Sequence, residues 1–148
     1  MVKKLSLPKP VVGLMTAANI SNVAVTTERY QGLAVSALIT AGLLYLATAG
    51  DTVTFQPRTP GTINIILLVD GNLTDGCMID AVKTVTEAKS VKLGNLDIRS
   101  CFSGEVASGT ITDFVIVACT ERGESIKYAG TATKLGELIG KSVRKSLK

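Results

Sequence analysis

The sequence contains no histidine. That absence excludes a Ser-His-Asp triad, a Cys-His dyad and histidine-ligated zinc. Tryptophan is absent and aromatic residues make up only 4% of the chain, so a core has to be assembled from Val, Ile, Leu and Ala. Charge is sparse, 19% of residues against 46% hydrophobic, and mean hydropathy is +0.35. This balance implies a large core relative to the surface. There is no Gly-x-x-x-x-Gly-Lys phosphate loop. Nor does a Gly-x-Gly-x-x-Gly follow a strand, which excludes the dinucleotide fingerprint. Any hydrolysis needs a Thr, Ser or Cys nucleophile, or water activated by a carboxylate or lysine.

What is present fits one domain over residues 1–148. Net charge is +4, concentrated at the two ends: Lys3, Lys4 and Lys9, then Lys134, Lys141, Arg144, Lys145 and Lys148. These basic residues are not interleaved with aromatics and the last group lies on an amphipathic helix. A solvated helix face is expected, not a nucleic-acid surface. Cys77, Cys101 and Cys119 are odd in number and form no Cys-x-x-Cys, which fits a reducing cytoplasm and buried free thiols. The uncharged run Gly32 to Gly50 approaches the length of a membrane span. Its glycines, its Ser and Thr residues, its alternating first half and the lack of a flanking positive cluster favour a buried strand, turn and short helix.

Hydrophobic period and punctuation give the element order. Val23–Thr27 and Leu33–Thr40 read as strands joined by a hairpin connection over Glu28–Gly32. Leu43–Thr48 reads as one or two helical turns, and Thr52–Phe55 as a short strand broken by Pro57 and Pro60. Ile63–Val69 is apolar on both faces and should be central. Asp70-Gly71-Asn72 is a turn. Thr74 caps a helix running to about Leu93 and ending at Gly94. Phe114–Ala118 is a further apolar strand and Ser125–Tyr128 a short one. Thr133 caps the last helix, with Leu135, Leu138, Ile139, Val143 and Leu147 as its apolar stripe. Gly136 and Gly140 each cost about 1 kcal/mol relative to Ala inside a helix, which suggests close packing on a backbone or ligand. The expected class is α+β: a mixed or antiparallel sheet of apolar strands against two main helices, about 74–93 and 133–147.

Five polar sets stand at the ends of these elements, each with two readings. Thr40-Ala41-Gly42 is either a plain strand end or a turn offering N–H groups to an anion. Thr62 and Asn64 share one face of the central strand and either pair within the sheet or meet a ligand. Thr86-Glu87-Ala88-Lys89 is a solvated helix face or a source of a carboxylate. Ser108 to Asp113 is a turn or a polar ligand loop containing Thr110 and Thr112. Thr131 to Gly140, with Thr133 and a Lys134–Glu137 pair three residues apart, is a capped amphipathic helix or an anion site.

Taken in order, these segments resemble the adenosylcobinamide amidohydrolase family. The resemblance is carried by Thr40-Ala41-Gly42 with Ala49-Gly50-Asp51, Pro60-Gly61-Thr62-Ile63-Asn64-Ile65-Ile66-Leu67, Thr86-Glu87-Ala88-Lys89, Gly109-Thr110 with Thr112-Asp113, and Tyr128-Ala129-Gly130 leading into Thr133-Lys134-Leu135-Gly136-Glu137-Leu138-Ile139-Gly140. It implies hydrolysis of the amide joining the corrin ring of adenosylcobinamide to its aminopropanol arm, giving adenosylcobyric acid for coenzyme B12 salvage. The corrinoid is then a substrate and no cofactor or metal is implied. Thr62, Glu87, Asp113 and Lys134 are the catalytic candidates. Thr40, Gly42, Gly50, Asn64, Thr110, Thr112, Thr131, Thr133 and Glu137 are the substrate-binding candidates.

Two departures point to a rival, a non-catalytic corrinoid-binding or regulatory domain. The family's last motif usually carries histidine where this chain has Ala132, and this chain is expected to lack an N-terminal region of full-length members. A cytoplasmic protein is expected, with assembly into a homo-oligomer if an apolar patch is left exposed. A second similarity, to ornithine acetyltransferases, implies that Thr62 becomes a nucleophile after self-cleavage, with its freed amine as base. In that reading the turns at Thr40–Gly42 and Thr48–Gly50 offer oxyanion donors. All these readings expect Thr40, Thr62, Glu87, Asp113 and Lys134 to meet at one concave surface.

Overall fold

The computed structural model describes residues 9–55 and 61–147. Eight strands and two helices follow in the order β1 (Ala24–Tyr30), β2 (Leu33–Ala41), β3 (Leu46–Ala47), β4 (Ile63–Asp70), β5 (Asn72–Leu73), α1 (Asp75–Asn95), β6 (Gly109–Thr110), β7 (Phe114–Cys119), β8 (Ser125–Ile126) and α2 (Lys134–Ser146). The main sheet has the order β1-β2-β4-β7. Its first three strands are antiparallel, and β7 joins β4 in parallel after the α1 crossover. The class is α+β with a mixed sheet, and Ile63–Asp70 is an interior strand.

Both helices cover one face of the sheet. Val35, Ala37, Ile39, Ile63, Ile65, Leu67 and Val69 point into it and meet Ala81, Val85, Leu93, Leu135, Ile139 and Val143. Strand alternation sends the other set outward. That face carries Val25, Leu38, Ile66, Leu68, Phe114 and Ile116, with Val25 57% and Phe114 54% exposed. Among the described residues no α-helix lies on it, and no helix is long and apolar enough to cross a membrane.

Local chemistry explains the boundaries. The expected connection over Glu28–Gly32 contracts to Gln31 (φ 44°) and Gly32 (φ 85°), because two successive left-handed residues make the tight hairpin whose twist matches the strands. Thr74 caps α1 by accepting from Cys77 N at 3.2 Å, and Thr133 caps α2 by accepting from Gly136 N at 3.0 Å. α1 runs past Gly94 to Asn95, and Asp97 (φ 53°) takes the left-handed position assigned above to the glycine.

Other expectations are corrected. Leu43–Thr48 is not helical: it turns at Tyr45 (φ 54°) into β3, which pairs with β6, and the Leu46 and Ala47 carbonyls accept from Cys101 N and Ser108 N. Those partners lie across the chain, so a local apolar run could not reveal them. Thr52–Phe55 forms no strand, since no neighbouring strand pairs with it. Its breakers Pro57 and Pro60 lie outside the described residues. Ser125–Tyr128 shortens to Ser125–Ile126, paired with β5. Of the free cysteines only Cys77 is buried, while Cys119 is half-buried and Cys101 exposed. Gly136 packs closely, since a Cβ there would lie 2.0 Å from the Gly130 carbonyl oxygen, but Gly140 faces open space.

Candidate active site

The densest polar cluster forms where β4 and β7 begin. Phe114 is in register with Asn64, so the residues one place earlier, Asp113 and Ile63, stand side by side. Asp113 Oδ1 accepts from Ile63 N at 2.9 Å and Oδ2 from Thr110 N at 3.1 Å. The Lys89 ammonium forms an ion pair with the same carboxylate. Lys89 arrives from α1 with its side chain only 10% exposed. A Cβ at Gly109 would lie 2.2 Å from Asp113 Oδ2 and 2.6 Å from Lys89 Nζ, so the ion pair occupies space that only glycine leaves free.

Gly61 is held as closely. A Cβ on it would lie 1.9 Å from the Leu44 carbonyl oxygen. Its own carbonyl accepts from Thr110 Oγ1 and Thr112 Oγ1, both at 2.8 Å. Thr62 Oγ1 lies 2.8 Å from Thr112 Oγ1. Thr112 has one hydroxyl hydrogen, and with it directed to Gly61 the donor in that contact is Thr62. The chain of hydroxyls therefore runs Thr62 to Thr112 to the Gly61 carbonyl.

Extending strand alternation back by one or two residues puts Asp113 on the helical side and Thr62 and Thr112 on the open side. There they enter a groove of about 610 Å³ with Phe114 and the segment before β1, including Leu14, Met15 and Ile20. Its walls are mostly apolar and Thr16, Thr62 and Thr112 bring its hydroxyls, an arrangement suited to a large apolar ligand with a few polar groups. Among the described residues no cluster of three His, Cys, Asp or Glu side chains is placed to hold a metal ion.

The candidates fall into separate groups. Thr62, Thr110, Thr112 and Asp113 come together. Thr40 and Asn64 stand opposite each other on β2 and β4, and Gly42 N donates to the Thr62 carbonyl at 2.9 Å, which occupies that N–H. Glu87, Thr131 and Glu137 instead line a groove between α1 and α2. Lys134 pairs with Glu137 and sits 4.4 Å from the Tyr30 ring centroid. Thr133 is the α2 cap. Gly50 (φ 102°) lies in a surface groove beside Asp51, whose carboxyl is held below its usual range by the Ser100 and Ser103 hydroxyls and the Thr48 N–H. Thr48 N–H is thereby engaged as well.

The expected meeting of Thr40, Thr62, Glu87, Asp113 and Lys134 at one surface is thus replaced by two groups on opposite sides of the fold. The cause is helical rotation: two residues along α1 turn a side chain through roughly 200°, so Lys89 and not Glu87 reaches Asp113. Lys89 is the cluster member that the sequence reading passes over. Its signal was present, because Cys77, Ala81, Val85, Lys89 and Leu93 recur every four residues and all are buried. A lysine in phase with such a stripe requires a carboxylate partner.

The chain is 36% identical over 166 aligned residues to an uncharacterized protein of Methanocaldococcus jannaschii, covering 99% of this chain and 65% of that one. It is 34% identical to the adenosylcobinamide amidohydrolase of Methanosarcina mazei over 93% of this chain and 64% of that one. With the adenosylcobinamide amidohydrolase of Halobacterium salinarum it shares 30% identity over 77% of this chain and 48% of the relative. The chain thus spans less than two thirds of the length of these curated relatives. No solved structure is significantly similar to it. The family model for adenosylcobinamide amidohydrolase matches residues 1–148, and the chain belongs to that family.

Proposed function

We propose that the chain hydrolyses the amide between the corrin ring and the aminopropanol arm of adenosylcobinamide, giving adenosylcobyric acid, with Thr62 as nucleophile. The observation that carries this reading is the placement of the Thr62 hydroxyl in an apolar groove of about 610 Å³, beside a backbone fixed by the Lys89–Asp113 pair. Membership of a family named for this activity supports the substrate, as do the names of two relatives.

A hydroxyl nucleophile needs a base. The Asp113 carboxylate is engaged by Lys89, Ile63 N and Thr110, so in this proposal it positions and does not abstract. Scission of the Gly61–Thr62 peptide bond would supply the base as the freed Thr62 amine. The hydroxyl chain ending on the Gly61 carbonyl supports such scission, since the Thr112 hydroxyl already polarises that carbonyl. Intact mass tests it: a chain broken before Thr62 supports the free-amine base, and a whole chain of 148 residues removes that base.

The activity test is release of free aminopropanol from adenosylcobinamide. Thr62→Val should abolish release and Thr62→Ser should retain part of it. A second reading, corrinoid binding without cleavage, is favoured by Ala132 where the family motif usually has histidine. Ala132 is an exposed residue of the turn before α2, on the helical side of the fold and apart from the Thr62 groove. Tight binding without aminopropanol release supports that second reading.

A further inference from the structure

Two buried side-chain atoms have no hydrogen-bond partner among the described residues, Thr40 Oγ1 and Asn64 Oδ1. Their residues are 8% and 5% exposed. They face each other directly in the β2–β4 register, and Asn64 is in turn opposite Phe114. Thr40, Asn64 and Phe114 therefore form one row across the open face of the sheet. The segment before β1 lies on this row: Met15 O accepts from Asn64 Nδ2 at 2.7 Å. A carbonyl can only accept, so this bond fixes the amide with nitrogen toward Met15 and leaves Oδ1 as the atom without a donor. Met15 and Phe114 also line the groove that holds Thr62 and Thr112.

A buried hydroxyl and a buried carbonyl oxygen, both unpaired, each carry the desolvation cost of a missing hydrogen bond. Both are satisfied by a group that donates to Asn64 Oδ1 and exchanges a hydrogen bond with the Thr40 hydroxyl, which can donate or accept. A primary carboxamide does this with one planar group. A carboxylate has no hydrogen for Asn64. A charge of either sign would also be costly in walls this apolar.

We infer that Thr40 and Asn64 form a carboxamide-recognition subsite beside the groove, taking a primary amide carried by a large apolar ligand. The amide enters beneath the Leu14–Ala17 segment, which shifts to admit it. This deepens the substrate proposal above, and rests on it for the ligand that carries the amide, since a cobinamide bears primary carboxamides around its ring.

The test is calorimetric titration of the full chain and its Thr40→Val variant with two probes. One is dicyanocobinamide and the other is the corresponding corrinoid with methyl esters in place of its amides. Valine keeps the shape of threonine and removes the unpaired hydroxyl. The expected result is affinity for dicyanocobinamide about fivefold weaker in Thr40→Val, restoration by Thr40→Ser, and wild-type affinity for the ester below that for dicyanocobinamide, because an ester carbonyl still accepts from Thr40 but has no hydrogen for Asn64 Oδ1. The melting temperature of free Thr40→Val should rise as its affinity falls, a combination that simple damage to the fold would not produce. Equal affinity of wild type and Thr40→Val for dicyanocobinamide overturns the inference and leaves the two atoms bridged by ordered water only. Absence of dicyanocobinamide binding by wild type overturns it too. Aminopropanol release is scored separately. Release with unchanged Thr40→Val affinity sinks the subsite and leaves the hydrolase reading standing, while amide-dependent binding without release does the reverse.

Discussion

Lys89 extends from the inner face of α1 onto the carboxylate of Asp113, and the pair fills the space that a side chain at Gly109 would need. Asp113 passes this anchoring on to the start of β4 through the Ile63 N–H. A helix, a loop and two strands thus converge on one carboxylate on the reverse side of the candidate groove.

Removing one member of this buried pair leaves the other charged and unpaired. Lys89→Met should destabilise the protein by about 3–5 kcal/mol, read as a lower urea midpoint at unchanged slope. Adding Asp113→Asn, which keeps an acceptor for Ile63 N but removes the charge, should recover most of the loss. A double variant no more stable than Lys89→Met would show that the loss comes from packing of the lysine stem.

Gly61 and Gly109 make a second test. Gly61→Ala forces a methyl group against the Leu44 carbonyl oxygen at 1.9 Å and should cost roughly 3 kcal/mol. Gly109→Ala intrudes on the Lys89–Asp113 pair. In a Lys89→Ala, Asp113→Ala background its added cost should shrink, because the side-chain atoms it would strike are already gone. Additive costs measured by denaturation would contradict that coupling.

The two glycines inside α2 should respond with opposite sign. At Gly140 a methyl group meets nothing within 4 Å, so Gly140→Ala should stabilise by about 1 kcal/mol through helix propensity. At Gly136 the same methyl would lie 2.0 Å from the Gly130 carbonyl oxygen, and overpacking should cost about 1–3 kcal/mol despite the gain in propensity. Thermal melts of the two variants check the contrast.

Glu137 carries a pH dependence. The Lys134 ammonium first, then Lys141, lowers its pKa from 4.5 to about 2. A folded-state pKa below the unfolded one means that the stabilisation is present above pH 4.5 and is lost as pH falls toward about 2. These groups are exposed, so solvent screening keeps the contribution small and salt-sensitive. Glu137→Gln should flatten the fall of melting temperature over that acidic window, and high salt should do the same to wild type. An unchanged acid limb in Glu137→Gln would show that other carboxylates set it.

Local chemistry made much of the fold legible. Thr74 and Thr133 announce their helices because a hydroxyl followed by an apolar period of 3.6 has few other uses, and both caps form. The run Ile63–Val69 announces a buried strand because it offers no polar face. By contrast, Leu43–Thr48 is equally apolar as helix or strand, and only its partner β6 decides the matter.

The candidate site divides along the same line. Hydroxyls, a carboxylate and glycines at strand ends can be picked out of the letters, and Thr62, Thr110, Thr112 and Asp113 were. Taken alone, the sequence determined where helices begin and which strands are buried, since each depends on neighbours within a turn or two. Only the tertiary structure decided that Lys89 reaches Asp113 while Glu87 and Lys134 do not, and that Thr40 and Asn64 are left facing each other without partners. Those outcomes depend on helix rotation, strand order and register, which join positions 24 or more residues apart.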